Sequence, residues 1–211
     1  MRQTKEDDMK TVTTVAELRA LYGEPGQAAR AKVAPALTLA YRRWIEASPF
    51  LALATAGPEG LDCSPRGDDG AVVRIADEKT VLLPDWRGNN RTDSLANIVR
   101  DPRVALLFMV PGSNNTLRIN GRAVVAVEPA LLESFETEGR HPRSVIVVTI
   151  AEVYFQCARA LIRSALWSSE RLVDPKSLPS AGEMTKDASE MAFDAEAYDR
   201  EWPERAAKSM W

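Results

Sequence analysis

The sequence is poor in the side chains that most often build metal centres and nucleophilic active sites. Its 211 residues include two cysteines, Cys63 and Cys157, and one histidine, His141. No Cys-x-x-Cys pair is present, so a metal site and a disulfide framework are both disfavoured. We therefore predict no bound metal, and we expect Cys157 to be a small buried residue, as unpaired cysteines usually are.

Long apolar runs and a strong charge imbalance are also missing. No uncharged apolar run approaches the roughly 20 residues that cross a bilayer, and the N-terminal MRQTKEDDMK is too polar for a secretory signal. The 27 basic and 30 acidic residues leave a net charge of −3, which disfavours a chain devoted to nucleic acid. We therefore expect a cytoplasmic protein that binds neither a membrane nor nucleic acid.

Hydrophobic periodicity predicts a mainly β protein with flanking helices. Thr14 and Glu17 fit a capping box at the start of a first helix, and a second helix is predicted over residues 31–47. Strands are predicted over residues 50–55, 61–66, 71–75, 80–83, 104–110, 116–127 and 144–154. Further helices are predicted over residues 92–99, 129–137 and 155–167. Six to seven short antiparallel strands indicate a small β-barrel.

Composition divides the chain into three predicted parts. Residues 1–47 form an N-terminal helical extension, and residues 48–168 form the barrel with its closing helix. Residues 169–211 form a linker and an acidic tail, because eight acidic residues lie between positions 183 and 204. We expect this tail to be helical from Ala195 onward.

The segment after the strand at 80–83 concentrates groups that bind anions. The sequence WRGNNR, residues 86–91, leads into the helix predicted from Thr92. The first N–H groups of a helix are unpaired, its dipole favours negative charge, and arginine binds phosphate through two N–H groups. This pattern favours a phosphate-bearing ligand. The alternative is an exposed polar turn whose asparagines only accept unusual backbone angles.

Four segments, in this order and spacing, resemble the pyridoxamine phosphate oxidase–like flavoproteins. They are FLALATAGPEGLDCSPRGDDG from Phe50, LLPDWRGNNRTDSLANI from Leu82, DPRVALLF from Asp101 and TLRINGRA from Thr116. The run from Cys157 to Trp167 resembles a helix found in one bacterial branch of these proteins. The resemblance covers about residues 45–170 and implies the FMN-binding split β-barrel fold.

The resemblance also implies an FMN site that two protomers of a homodimer share. Ser64, Arg66 and Gly67 correspond to the strand that approaches the FMN phosphate. Further phosphate ligands are expected at Asn89, Asn90 and Arg91, a turn less basic than the Ser-Arg-Lys of the true oxidases. Trp86 and Thr116 are expected beside the flavin or its ribityl chain. Candidates for the contribution of the second protomer are Arg163, Ser164 and Trp167.

The implied activity is that of an FMN-dependent oxidoreductase acting on a small organic substrate. A flavin carries out electron and hydride transfer itself, so such a protein needs no catalytic triad. Two alternatives remain open: a flavin- or haem-binding split barrel without turnover, and a deazaflavin-dependent reductase on the same fold. The late Arg and His motif that binds the vitamin phosphate in the true oxidases has no counterpart here, so that substrate is not predicted.

Overall fold

Three short helices precede a seven-stranded antiparallel sheet in this protein, whose computed structural model describes residues 9–209. Backbone contacts divide the chain into two compact units, one up to Val33 and one from Ala34 onward. The three-part division predicted from composition stays a prediction, and residues 1–8 and 210–211 lie outside the described residues. Within the described residues, no helix is both long enough and apolar enough to cross a membrane.

The first helix, α1 (Val15–Tyr22), begins as the capping box predicts. The hydroxyl of Thr14 accepts the Glu17 N–H at 3.2 Å, and the Glu17 carboxylate accepts the Thr14 N–H at 3.2 Å. The second predicted helix, over residues 31–47, is wrong: the chain forms α2 (Gln27–Ala31) and α3 (Leu39–Glu46) instead. Pro35 lies between them, where it removes a backbone donor and clashes with a continuing helix.

The sheet contains all seven strands in the order β2-β1-β5-β6-β7-β4-β3, and every pairing is antiparallel. The strands are β1 (Phe50–Gly57), β2 (Gly60–Gly67), β3 (Arg74–Ile75), β4 (Thr80–Asp85), β5 (Arg103–Met109), β6 (Thr116–Ala126) and β7 (Ser144–Gln156). The first and last strands in this order do not pair with each other, so the sheet stays open. The predicted class, a split barrel of six to seven antiparallel strands with flanking helices, is confirmed.

Five further helices of the described residues lie between or after the strands. They are α4 (Asp93–Arg100), α5 (Pro129–Glu133), α6 (Arg159–Ser164), α7 (Ala181–Ala188) and α8 (Ala195–Ser209), the last beginning at the predicted residue. The helix predicted over 155–167 is shorter because β7 continues to Gln156, which pairs with Thr116, and because Ala165 ends α6 with a left-handed φ of 48°. Cys157 in this region is exposed, so its predicted burial is wrong.

The main hydrophobic core lies on one face of the central strands. Leu51, Leu53, Leu106, Phe108 and Ile119 are all 0% exposed, and they alternate with less buried neighbours, as strand geometry requires. Burial of each such side chain contributes about 1.5–3 kcal/mol. A second, smaller cluster is formed by the buried residues Leu82, Phe135 and Val145, with Trp86, Leu131, Leu132 and Val147 packed against it. β4 therefore buries both of its faces, which explains its uninterrupted apolar run.

Gly121 lies at an irregularity in the pairing of β6 with β7. Asn120 is opposite Glu152 and Gly121 is opposite Ile150, so β7 holds one extra residue at this point. A Cβ atom at Gly121 would lie 2.2 Å from the carbonyl oxygen of Thr149. Only a residue without a side chain fits this close approach of two strands.

We expect Gly121→Ala to lower the free energy of unfolding by about 1–3 kcal/mol, because the added methyl group forces two strands apart. Urea denaturation of the purified protein measures this change. Gly88→Ala is the control, since a Cβ atom there meets nothing within 4 Å. Equal unfolding midpoints for the two variants would contradict the close approach.

Candidate functional site

Three polar side chains of β2 point to the same side of the sheet. Asp62, Ser64 and Arg66 are half-buried, whereas the residues between them, Cys63 and Pro65, are exposed. Side chains alternate in direction along a strand, so the pattern places the three polar groups on one face. The hydroxyl of Ser94, in the first turn of α4, donates a hydrogen bond to Asp62 on this face. β2 and the start of α4 thus form two walls of one site.

Arg66 is the least exposed cation at this site. Its Nη1 donates to Oδ1 of Asp85, the last residue of β4, and the two side chains are only 21% and 17% exposed. The Nε of Arg66 is buried and has no hydrogen-bond partner among residues 9–209. An unsatisfied buried donor costs about 1–3 kcal/mol. An oxygen of an anionic ligand would satisfy this N–H.

A cleft of ≈ 180 Å³ brings the β2 face and the turn before α4 together. Its lining consists of Asp62, Ser64, Arg66, Asn89, Arg91, Asp93 and Ser94. Four predicted phosphate ligands, Ser64, Arg66, Asn89 and Arg91, therefore surround one cavity. A second cleft of ≈ 180 Å³ also borders Arg66 and includes the predicted residues Gly67 and Trp86. The role of all six in FMN binding stays a prediction.

The turn at residues 86–91 is held by its own amide side chains. Oδ1 of Asn89 accepts the N–H of Arg91 at 3.0 Å. Asn90 has a left-handed φ of 61°, and its Oδ1 accepts a hydrogen bond from Nη1 of Arg143 at 2.7 Å. Both asparagines thus shape the turn, as the alternative interpretation expects. Asn89 also lines the cleft, whereas Asn90 is directed to Arg143.

Sequence reasoning missed two residues that organise this site, Asp85 and Arg143. Asp85 holds Arg66, and its backbone carbonyl accepts the N–H of Arg143 at 3.0 Å. Arg143 precedes β7, which pairs with β4, so only the strand pairing brings it beside the turn. A charged residue at the end of a buried strand was the one available signal for Asp85.

Carboxylates balance the positive charge around the cleft. Arg91 is 77% exposed at its side chain, and its Nε lies 2.5 Å from Oδ2 of Asp93. This hydrogen bond, together with the charge of Asp93, raises the pKa of Arg91 above its usual value. With Asp62 and Asp85 included, two arginines face three aspartates. A phosphate would therefore be held by directed donors, above all Arg66 and Ser64, rather than by a large positive potential.

The structure does not bring the remaining predicted residues to this cleft within one protomer. Thr116 is buried and pairs with Met109, which places it three strands from Gly67, or about 14 Å along the sheet. Arg163 and Ser164 are exposed on α6. Trp167 donates from Nε1 to the carbonyl oxygen of Ser113 at 2.7 Å. The part that these residues take in an FMN site stays a prediction.

Several solved structures are similar to this protein at low sequence identity. HupZ of Group A Streptococcus is 18% identical, with a TM-score of 0.46 over 56% of this chain and 91% of HupZ. An FMN-binding protein from Syntrophomonas wolfei is 12% identical, with a TM-score of 0.41 over 55% of this chain and 88% of that protein. An F420 reductase is 16% identical, with a TM-score of 0.41 over 57% of this chain and 98% of the reductase.

Sequence comparison identifies the family directly. No curated protein matches the sequence of this chain significantly. The family profile described as pyridoxamine 5'-phosphate oxidase matches residues 37–157, which is more than half of the chain and spans β1 to β7. This match confirms the resemblance carried by the four sequence segments. The chain belongs to the pyridoxamine 5'-phosphate oxidase family.

Proposed function

We propose that this protein is an FMN-dependent oxidoreductase acting on a small organic substrate. Membership of the pyridoxamine 5'-phosphate oxidase family supports a flavin cofactor. One observation carries the assignment of the phosphate site. The buried Nε of Arg66 lacks a partner among the described residues, and Arg66 lines the same cleft as Ser64, Asn89 and Arg91. This donor set fits a phosphate group.

Each side chain at the cleft has a separate task in this proposal. Arg66 donates from Nε to a phosphate oxygen while Asp85 holds its Nη1, and the Ser64 hydroxyl donates to a second oxygen. Each charge-assisted bond contributes about 1.5–3 kcal/mol. Arg91 contributes less than Arg66, because it is exposed and must exchange Asp93 for the ligand. When bound, FMN supplies hydride and electron transfer, and the protein binds, orients and tunes it.

We also propose that the complete cofactor site is shared by two protomers. The two clefts that border Arg66 measure ≈ 180 Å³ each, below the roughly 300–1,000 Å³ of typical cofactor pockets. The missing walls would then come from a second copy, with Arg163, Ser164 and Trp167 as candidates. This arrangement explains why these residues lie away from Arg66 within one protomer.

Light scattering of the FMN-loaded protein tests the shared site. We expect a mass of twice 23.2 kDa, and we expect Trp167→Ala to weaken FMN binding by about tenfold, since contacts of a large aromatic are commonly worth more than 1 kcal/mol. Val127→Ala is the control, because Val127 is similarly apolar and exposed but lies outside the candidate set. A monomer that binds FMN as tightly as any dimer would contradict the shared site.

The absorption spectrum of the purified protein tests the cofactor, and two half-reactions test the enzyme. We expect an oxidised flavin spectrum and release of FMN on denaturation. We expect NADH or NADPH to reduce the protein-bound flavin, and an organic acceptor to restore the oxidised spectrum. A haem spectrum or bound deazaflavin would contradict FMN. Bound FMN with neither half-reaction would support a binding protein without turnover.

A further inference from the structure

A third cleft lies next to the clefts at Arg66 and is larger than either of them. It measures ≈ 490 Å³, which falls within the range of small-molecule pockets. It shares Asp68, Pro84 and Trp86 with the second cleft at Arg66. Trp86 therefore forms a wall common to the proposed flavin site and to this third cleft. A molecule bound here would lie beside the proposed cofactor site.

Buried apolar side chains form part of the inner surface of the third cleft. Val73 is 4% exposed and Phe135 is 8% exposed, and Pro84 is also buried. Trp86 packs against the small cluster of Leu82, Phe135 and Val145 that joins α5 to the sheet. The walls are therefore fixed by packing, and the half-buried indole of Trp86 forms part of them.

The rim of the third cleft is acidic. Four carboxylates line it, those of Glu46, Asp68, Asp69 and Glu136, against two guanidinium groups, those of Arg42 and Arg74. An excess of carboxylates above an apolar floor attracts a positively charged group and repels an anion.

Arg74, one of the two arginines of the third cleft, is held by neighbouring residues. Its guanidinium lies 3.7 Å from the centre of the Phe135 ring and donates to Oγ and the carbonyl oxygen of Ser134 at 2.9 and 2.7 Å.

We propose that the third cleft binds a flat organic cation, either a quaternary aromatic nitrogen or an aromatic amine in its ammonium form. The ring packs on the apolar floor beside Trp86, whose electron-rich face also favours a cation. The carboxylates of the rim select the positive charge. The assignment of this cation as the substrate rests on the proposed flavin function, whereas its binding does not.

Isothermal titration of the 211-residue protein with two flat probes tests this inference. N-methylquinolinium carries a positive charge, and 2-naphthoate has a similar shape with a negative charge. We expect the cation to bind at least about tenfold more tightly than the anion, with a preference that declines as salt rises. Undetectable binding of the cation, or equal affinity for both probes, would overturn the proposal.

Matched charge variants locate the binding. We expect Glu46→Gln with Glu136→Gln to weaken N-methylquinolinium binding by about five- to tenfold. Glu128→Gln with Glu133→Gln removes the same charge from exposed residues near α5 that do not line the cleft, and we expect wild-type affinity. The assignment to this cleft is overturned if only the control variant loses affinity for N-methylquinolinium, or if neither variant does.

Titration of the same samples with FMN separates the two proposals. FMN binding without binding of the cation would overturn the cation site and leave the flavin site intact. If the protein binds the cation but does not bind FMN, the cation site is supported and its role as a substrate site is contradicted. We expect the Glu46→Gln, Glu136→Gln protein to bind FMN as the wild type does, because neither residue lines the clefts at Arg66.

Discussion

Replacing Arg66 with alanine is expected to weaken FMN binding by about one to two decades while the protein stays folded. The change removes at least one charge-assisted hydrogen bond to the phosphate, worth about 1.5–3 kcal/mol. It also leaves the Asp85 carboxylate, which is 17% exposed, without the guanidinium that neutralises it. Because that carboxylate would then repel the phosphate, we expect a loss near the upper end of this range.

Quenching of FMN fluorescence on titration with protein measures this loss, and circular dichroism monitors folding. Arg103→Ala is the matched control, because Arg103 also forms an ion pair with an aspartate, Asp101, at 2.5 Å, but on β5 and with a side chain that is 72% exposed. We expect the control to bind FMN as the wild type does. Wild-type affinity in folded Arg66→Ala protein would remove Arg66 from the site.

Phe108→Ala is expected to lower the free energy of unfolding by about 3–5 kcal/mol. Phe108 is 0% exposed and is the largest fully buried side chain among the described residues. Its removal loses the transfer free energy of the ring and leaves a cavity between strands that cannot collapse fully. A loss of this size is a large share of the stability of a domain.

Urea denaturation without added flavin measures this change, since a bound ligand would add its own stabilisation. Phe155→Ala is the matched control: Leu117 pairs with both phenylalanines, so they lie in one row across the sheet. Phe155 is 42% exposed. We expect the control to lose at most about 1.5 kcal/mol. Equal losses would contradict the placement of the core.

The elements that could be predicted are those fixed by neighbouring residues. The capping box at Thr14 and the strand alternation of β1 depend on local geometry, and both are present in the structure. The helix predicted over 155–167 is shorter in the structure, because residues distant in sequence determine its first part. Its first residues have a helical apolar pattern, but Thr116 and Leu117 of β6 extend β7 through them. Pairing between distant strands therefore overrides local periodicity.

Some residues of the candidate site could be predicted from the sequence and others could not. Ser64 and Arg66 could be placed together because they lie two residues apart, on one face of a strand, and the family resemblance linked them to Arg91. Asp85 and Arg143 could not be placed, because they reach the site through pairing of β4 with β7. Both asparagines of the turn form hydrogen bonds that shape it, and their part in binding a phosphate stays a prediction.

The ratio of the dissociation constants of riboflavin and FMN for the wild-type protein tests the central claim most directly. The two ligands differ only in the phosphate group, so the ratio isolates the contribution of the cleft at Arg66. Two charge-assisted bonds, partly offset by the carboxylates nearby, predict that FMN binds about 100-fold more tightly than riboflavin. Equal affinity for the two ligands would contradict a phosphate site at Arg66.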